Sequence, residues 1–439
     1  MELPKILILN EIFNSHSGGG ITLTNLFHGW DSDKIAVCCN SVRLEGELDT
    51  NICKTYYRLG SEEYRFIFPF NLISRQRPSG LINFDKKQYG SGELVKRNKK
   101  NGIRHKFVMN ILFPVLEYTG VMSKMTKLKL SRSFCNWLNE FKPDIIYAQA
   151  HNVQDIELIL SIKAYLKKPL IFHMMDDWPL MITGSKFLTK KQLKRNDRAM
   201  RALLNKADVL LSISDAMTDE YKARYNKDFV PFHNPINLDF WSKYQRNNYV
   251  LSDSPTLLYA GRLGIGIDKS LELIAQSVET VNQALNIKLD FVIQTKDKPS
   301  WISRYSCVKH RSFVAYNDLP KTFSQADFLI LPYDFSPKSI QFIGYSMPTK
   351  ATEYMISGTP IIIFSPEQTA VVKYARKYNW AKIVTHDDAT SLSNAIISLI
   401  QDETERENLA QRAIAVAKEK HSLTEKTIEF RRIFQNLMH

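Results

Sequence analysis

Short apolar runs recur along this chain, each bounded by polar or turn-forming residues and followed by a segment with the spacing of an amphipathic helix. Lys5 to Leu9 is the first such run and predicts a strand. A polar glycine loop, Ser15-His16-Ser17-Gly18-Gly19-Gly20, comes next, then a helix from Ile21 to Phe27 and a strand over Ile35 to Cys39. From Gly60 to Leu130 the rhythm breaks, which predicts an elaboration containing some helix. It returns with the strand Pro143 to Ala148, a helix over Asp155–Tyr165, the strand Pro169 to His173 and a helix over Leu193–Asn205. The run Ala207 to Ser214 follows, with another helix beginning after Asp215.

A polar segment with Trp241, Arg246, Asn247, Asn248 and Ser252–Pro255 has the composition of a linker. Beyond it a second series opens with Thr256 to Ala260 and continues through Leu289–Gln294, Phe328 to Leu331 and Ile361–Phe364. Strands alternating with helices predict parallel sheets covered on both faces. The fold class is therefore α/β, with two doubly wound, Rossmann-like domains over residues 1–243 and 244–421 and a helical tail over 422–439. Such domains bind ligands beyond the carboxyl ends of their strands, so two of them facing one another would enclose a cleft.

Composition narrows the class. Hydrophobic residues make up 44% of the 439 and charged residues 24%, as in a soluble globular protein with sizeable cores. No apolar run approaches the ~20 residues a membrane helix needs, and nothing resembles a signal peptide. The five cysteines, Cys38, Cys39, Cys53, Cys135 and Cys307, lack C-x-x-C spacing, which argues against zinc and a disulfide framework and fits a reducing cytoplasm. The net charge of +14 is concentrated: between Lys86 and Arg132 twelve Lys or Arg stand against two acids, Glu93 and Glu117. The aromatic stretches Phe66–Phe70 and Phe107–Phe113 adjoin this charge. Such a segment suits peripheral attachment to an anionic membrane face, or equally a solvated loop over an apolar helix. Nothing marks a nucleic-acid-binding module, so no nucleic-acid partner is expected.

The most informative segment runs from Ser346 through Met347-Pro348-Thr349-Lys350-Ala351-Thr352-Glu353-Tyr354-Met355 to Gly358-Thr359-Pro360. It predicts a helix stopped by Gly358, with Lys350 and Glu353 in its first turns, where unpaired N–H groups and the dipole attract anions. A cation for a phosphate beside a carboxylate for a sugar hydroxyl suits a nucleotide-sugar. An ordinary amphipathic helix with a surface ion pair also fits. The segment resembles the S-P-x-K-x-x-E-Y-M-x-x-G-x-P signature of GT-B glycosyltransferases, in particular the retaining family-four branch (glycosyl transferases group 1).

That resemblance implies two facing Rossmann-like domains, an acceptor side in the first and donor binding in the second. The chain after Ser422 would cross back to the first domain. It implies that Arg262, after the strand ending at Ala260, and Lys269 neutralise the departing diphosphate, as the family's G-R-L…K pair does. The spacing here is longer, through Gly264-Ile265-Gly266-Ile267. Gly18, Gly19 and Gly20 correspond to a loop facing the donor. His173 is expected at the donor sugar, with His151 and Asp176 as further cleft residues, and Ser346, Lys350 and Glu353 at the nucleotide. No metal or other cofactor is expected. Asp31-Ser32-Asp33 matches the D-x-D pattern of another transferase fold but lies in a loop, and is set aside.

One departure stands out. Where many members carry a second glutamate eight positions before Glu353, this chain has Tyr345. The leading expectation is a cytoplasmic transferase that moves a sugar from a nucleoside-diphosphate sugar to an acceptor such as a lipid-linked glycan, in cell-surface polysaccharide or glycolipid synthesis. The alternatives are a catalytically silent scaffold that holds a partner or membrane, which Tyr345 motivates, and a sugar-nucleotide epimerase.

Overall fold

The computed structural model describes residues 3–40, 43–45, 48–66, 77–82, 84, 126–180, 186–264 and 266–438. Two compact units divide the chain: Met1–Leu211 with Lys227–Phe229 and Phe430–His439, and Ser212–Asn226 with Val230–Glu429. The first unit therefore ends its main run at Leu211 rather than near 243, and the last residues of the chain are part of it.

In the first unit the strands are β1 (Ile6–Leu9), β2 (Ile35–Asn40), β3 (Thr55–Leu59), β4 (Tyr64–Phe66), β5 (Gly80–Leu81), β6 (Thr126–Leu128), β7 (Ile145–Ala148), β8 (Leu170–Met174) and β9 (Val209–Ser212). Its main sheet runs in the order β9-β8-β7-β1-β2-β3-β5, and β4 pairs separately with β6. β1 lies parallel between β2 and β7, with Ile6 opposite both Ile35 and Ile145. Every residue of β1 and β7 is buried, as continuous apolar strands covered on both faces must be. Near the end of the chain, Phe430 and Phe434 pack edge-on against Phe27 at 5.1 and 5.7 Å.

The second unit holds β10 (Val230–Pro231) and a six-stranded sheet of β11 (Thr256–Ala260), β12 (Asp290–Gln294), β13 (Val308–Arg311), β14 (Phe328–Pro332), β15 (Ile361–Phe364) and β16 (Lys382–Val384). The order is β13-β12-β11-β14-β15-β16, and all its pairings are parallel. Ile361, Ile362, Ile363 and Phe364 are wholly buried, and each side chain contributes about 1.5–3 kcal/mol by leaving water. Both units are doubly wound α/β folds, as the alternation of apolar runs predicted.

Two local expectations change. The glycine stretch is not a loop: the first helix begins at Gly18 and runs to Leu26, with Ser17 as its N-cap accepting from the Gly20 amide. The polar segment expected as a linker is anchored. Trp241 is 1% exposed and stacks on Phe323 at 5.6 Å, and Arg246 pairs with the buried Asp327 at 3.2 Å. Asp31, set aside above with its D-x-D pattern, caps the short turn Ser32–Lys34. The aromatic runs of the basic segment, apart from the backbone of Phe66, and most of its charges lie outside the described residues. No described helix is long and apolar enough to cross a membrane.

Candidate functional site

The signature helix forms over Thr349–Ser357, from Pro348 to a Gly358 cap at φ 77°. Glycine is required there twice over, because a β-carbon would be strained at that φ and would also lie 2.6 Å from Arg246 O. The final carbonyls are satisfied from outside the helix: Arg246 N donates to Ser357 O at 2.8 Å and Gln245 Nε2 to Ile356 O at 2.8 Å. Within the helix, the Tyr354 hydroxyl accepts from Ala260 N at 3.1 Å, which joins the helix to the end of β11.

That join brings the charges together. Lys350 Nζ lies over the Tyr259 ring, 5.6 Å from its centroid, and occupies the space beside Gly261. Tyr259 donates in turn to Arg262 O at 2.6 Å, fixing the turn that carries the arginine. The Arg262 guanidinium lies over the Phe342 ring, 5.6 Å from its centroid. Burial raises the Glu353 carboxyl to about 7, against the opposing charge of Lys350. Burial also lowers the Lys350 ammonium to about 8; Glu353 opposes that shift and Arg262 reinforces it. An acid and a base shifted by burial at the carboxyl end of β11, with an arginine beside them, have the chemistry to meet an anion that carries hydroxyls.

Lys269 is exposed on the first turn of the helix Asp268–Leu285. In the first turn of that helix Asp334 accepts from Ser270 N at 2.9 Å, and Asp268 accepts from Gly264 N, in the loop before the helix, at 2.7 Å. The Lys269 ammonium lies near Asp334 and works against the burial that raises its carboxyl. Ser346 and Tyr345 are half-buried in the turn before Pro348, and Ser214 Oγ donates to Tyr345 O at 2.6 Å. The guanidinium of Arg224 sits 5.9 Å from the Tyr345 ring.

In the first unit the expected residues make contacts within the chain itself: Gly18 to Gly20 in the first helix, His173 in β8, and His151 and Asp176 after β7 and β8. His173 is wholly buried, with Nδ1 2.6 Å from Tyr147 Oη, so its ring lies below the surface rather than open to a sugar. Gly19 and Gly20 leave room for side chains of this chain. A β-carbon on Gly19 would lie 2.9 Å from Glu11 Oε2, and one on Gly20 would overlap the Asn14 amide. His151 stands 3.9 Å from Glu11 Oε2, and burial lowers its imidazole to about 3, so it is neutral. Asp176 is half-buried and its charge adds to the burial that raises the Glu11 carboxyl.

Residues 254–402 match the family model described as Glycosyl transferases group 1. The second unit carries a group 1 glycosyltransferase domain. No curated protein matches the chain by sequence. Among solved structures, Anabaena Alr3699/HepE in complex with UDP and glucose aligns over 99% of this chain and 100% of its own, with TM-score 0.61 at 13% identity. Sucrose-phosphate synthase from Thermosynechococcus elongatus aligns over 99% and 98%, with TM-score 0.59 at 12% identity. WaaG, a glycosyltransferase involved in lipopolysaccharide biosynthesis, aligns over 98% and 99%, with TM-score 0.57 at 12% identity. The fold of this glycosyltransferase is GT-B.

The structure brings the expected Arg262, Lys350 and Glu353 together, through two residues sequence reasoning gave no part: Tyr259, which touches Lys350 and Arg262, and Tyr354, which ties the helix to Ala260. Sequence reasoning also missed Glu11. The available signal was its place directly after a central strand; for the tyrosines, nothing in a linear reading separates a buried hydroxyl from an exposed one.

Proposed function

We propose that this glycosyltransferase moves a sugar from a uridine-diphosphate sugar to a hydroxyl acceptor, with retention of anomeric configuration and without a metal. The observation that carries this reading is the convergence of Arg262 and Lys350 on the end of β11 with Glu353 buried beside them. Arg262 and Lys350, with Lys269 from the neighbouring helix, neutralise the leaving diphosphate, and Glu353 accepts from a ribose hydroxyl. Ser346 and Tyr345 border the donor, Tyr345 standing where a second carboxylate is common. His173 acts from beneath the first unit's strand ends, holding Tyr147. UDP or UDP-glucose in the structures of Anabaena Alr3699/HepE supports uridine as the nucleoside. The acceptor proposed is a glycan on a lipid at an anionic membrane face, motivated by the basic aromatic sequence between Lys86 and Arg132.

Thermal unfolding with UDP, GDP, ADP, TDP and CMP, with and without EDTA, tests the reading. UDP at ~100 times its dissociation constant is expected to stabilise the fold by about 2.7 kcal/mol, unchanged by EDTA. Arg262→Ala removes the shift. No response to any nucleotide would overturn the assignment in favour of a silent scaffold, and loss of the response in EDTA would overturn metal independence.

A further inference from the structure

The helix Lys186–Leu204 follows β8 and the short turn Trp178–Leu180, so it starts from the carboxyl-end side of the first unit's sheet. Asn196, buried on its inner face, donates from Nδ2 to Pro179 O at 3.2 Å and pins the helix to that turn. Met200, Leu203 and Leu204 are buried along the same face, and the helix packs on its neighbour Val153–Leu166. At helical spacing these positions form one stripe, and the residues opposite them are the ones open to solvent.

That outer face is basic throughout. Lys190, Lys194 and Arg198 succeed one another at four-residue intervals, Arg201 continues the row and Lys191 lies beside it; all five are exposed. From Lys190 to Arg201 the row is about 17 Å long. The helix holds seven Lys or Arg and one acid, Asp197, which pairs with Arg201 at 2.9 Å. Arg195, on the flank, reaches Glu157 at 3.6 Å. Among the described residues no carboxylate lies within ion-pair distance of Lys190, Lys191, Lys194 or Arg198. Other helices of the chain pair opposite charges one turn apart, as Glu220 with Arg224 and Lys426 with Glu429. Like charges one turn apart weaken a helix, so an unbroken row of them opposes folding until an anion relieves it.

The side chains narrow the kind of anion. No exposed residue from Lys190 to Arg201 is aromatic or aliphatic. The row therefore offers neither the stacking that grips single-stranded nucleic acid nor a wedge for insertion into hydrocarbon. Lysine supplies three of the five charges, and an ammonium lacks the planar fork by which arginine clasps one phosphate. A straight row of mobile point charges suits many charged groups spread over a plane. The head groups of an anionic lipid leaflet are such a plane, and each Lys or Arg near it adds to the attraction.

We propose that the outer face of the helix Lys186–Leu204 docks on an anionic lipid surface through Lys190, Lys191, Lys194, Arg198 and Arg201. The contact is electrostatic and reversible, and it turns the carboxyl-end side of the first unit's sheet toward the lipid. This deepens the reading of a lipid-borne acceptor and rests on it. The face is separate in sequence from the basic stretch between Lys86 and Arg132 on which that reading drew.

Co-sedimentation of the full chain with vesicles tests the surface. Phosphatidylcholine vesicles with roughly one-third phosphatidylglycerol are expected to bind the chain about ten-fold or more tightly than phosphatidylcholine alone, and added salt releases it. Combining Lys190→Gln, Lys194→Gln and Arg198→Gln lowers that binding by about a hundred-fold. Far-UV circular dichroism and the UDP-induced shift are kept, because none of the three has an ion-pair partner to lose. In the unaltered chain, hydrogen exchange over residues 190–201 slows on the anionic vesicles and not on the neutral ones. The surface is overturned by equal binding to both vesicle types, by binding that the triple variant keeps in full, or by retention on heparin or RNA without vesicle binding. Vesicle binding as expected with no UDP response in the unaltered chain would instead mark failure of the transferase reading alone.

Discussion

Lys350 Nζ fills the space that a β-carbon on Gly261 would need, so the ammonium position depends on a missing side chain at the end of β11. Gly261→Ala would meet the flexible tip of Lys350 and, less forgivingly, the Tyr259 hydroxyl at 2.6 Å. The expected result is a ten- to hundred-fold loss of kcat/KM, about 1–3 kcal/mol of transition-state stabilisation. Stability should fall by only about 1 kcal/mol. Steady-state kinetics beside urea denaturation separates the two, and unchanged kinetics would detach Lys350 from the reaction.

Glu353 makes stability depend on pH in an unusual direction. Its folded carboxyl titrates at about 7, above its ordinary value of 4.5, so the folded state binds the proton more tightly. Stability from this group is full below about pH 4.5 and declines as pH rises through about 7. Glu353→Gln removes that slope. The variant should gain on the unaltered protein between pH 5 and pH 7.5, by on the order of 1–3 kcal/mol, read from urea midpoints. A constant difference across that range would contradict a desolvated carboxyl.

Tyr354→Phe leaves the Ala260 amide, buried at the last residue of β11, without its acceptor. The expected cost is about 1–3 kcal/mol of stability. Hydrogen exchange at Ala260 should accelerate before that of Leu258, and equal protection at both would mean the hydroxyl is dispensable.

Arg246 pairs with Asp327, whose oxygens also accept from Ser252 and Thr256. Arg246→Ala strands a carboxylate that is 4% exposed and should cost about 3–5 kcal/mol. Denaturant unfolding of this variant would show a lowered midpoint, with UDP affinity retained by the folded fraction. A cost below 1 kcal/mol would indicate that the segment is the free linker its composition suggests.

Much of this could be read from the chain. The apolar runs located the central strands within a residue or two, because a strand buried on both faces has to be continuously apolar. The stop at Gly358 and the break at Ser422, between the helices Glu403–His421 and Leu423–Asn436, also stood in the sequence. Arg262, Lys350 and Glu353 stood out by their place in segments that resemble the family's motifs, and the structure brings them together at the end of β11. The glycines were misleading: Gly18 to Gly20 look like a loop open to phosphate, whereas the chain fills their space with Glu11 and Asn14.

Sequence by itself determined the two α/β units and the charges each strand end carries, since both follow from local periodicity and residue type. Only the tertiary structure decided which of those groups are desolvated and which are already partnered. Those outcomes depend on neighbours far apart in the chain: Tyr354 on Ala260 and Lys350 on Gly261. Burial by distant segments turns an ordinary Glu353 into an acid that titrates near neutrality, and no linear spacing encodes that.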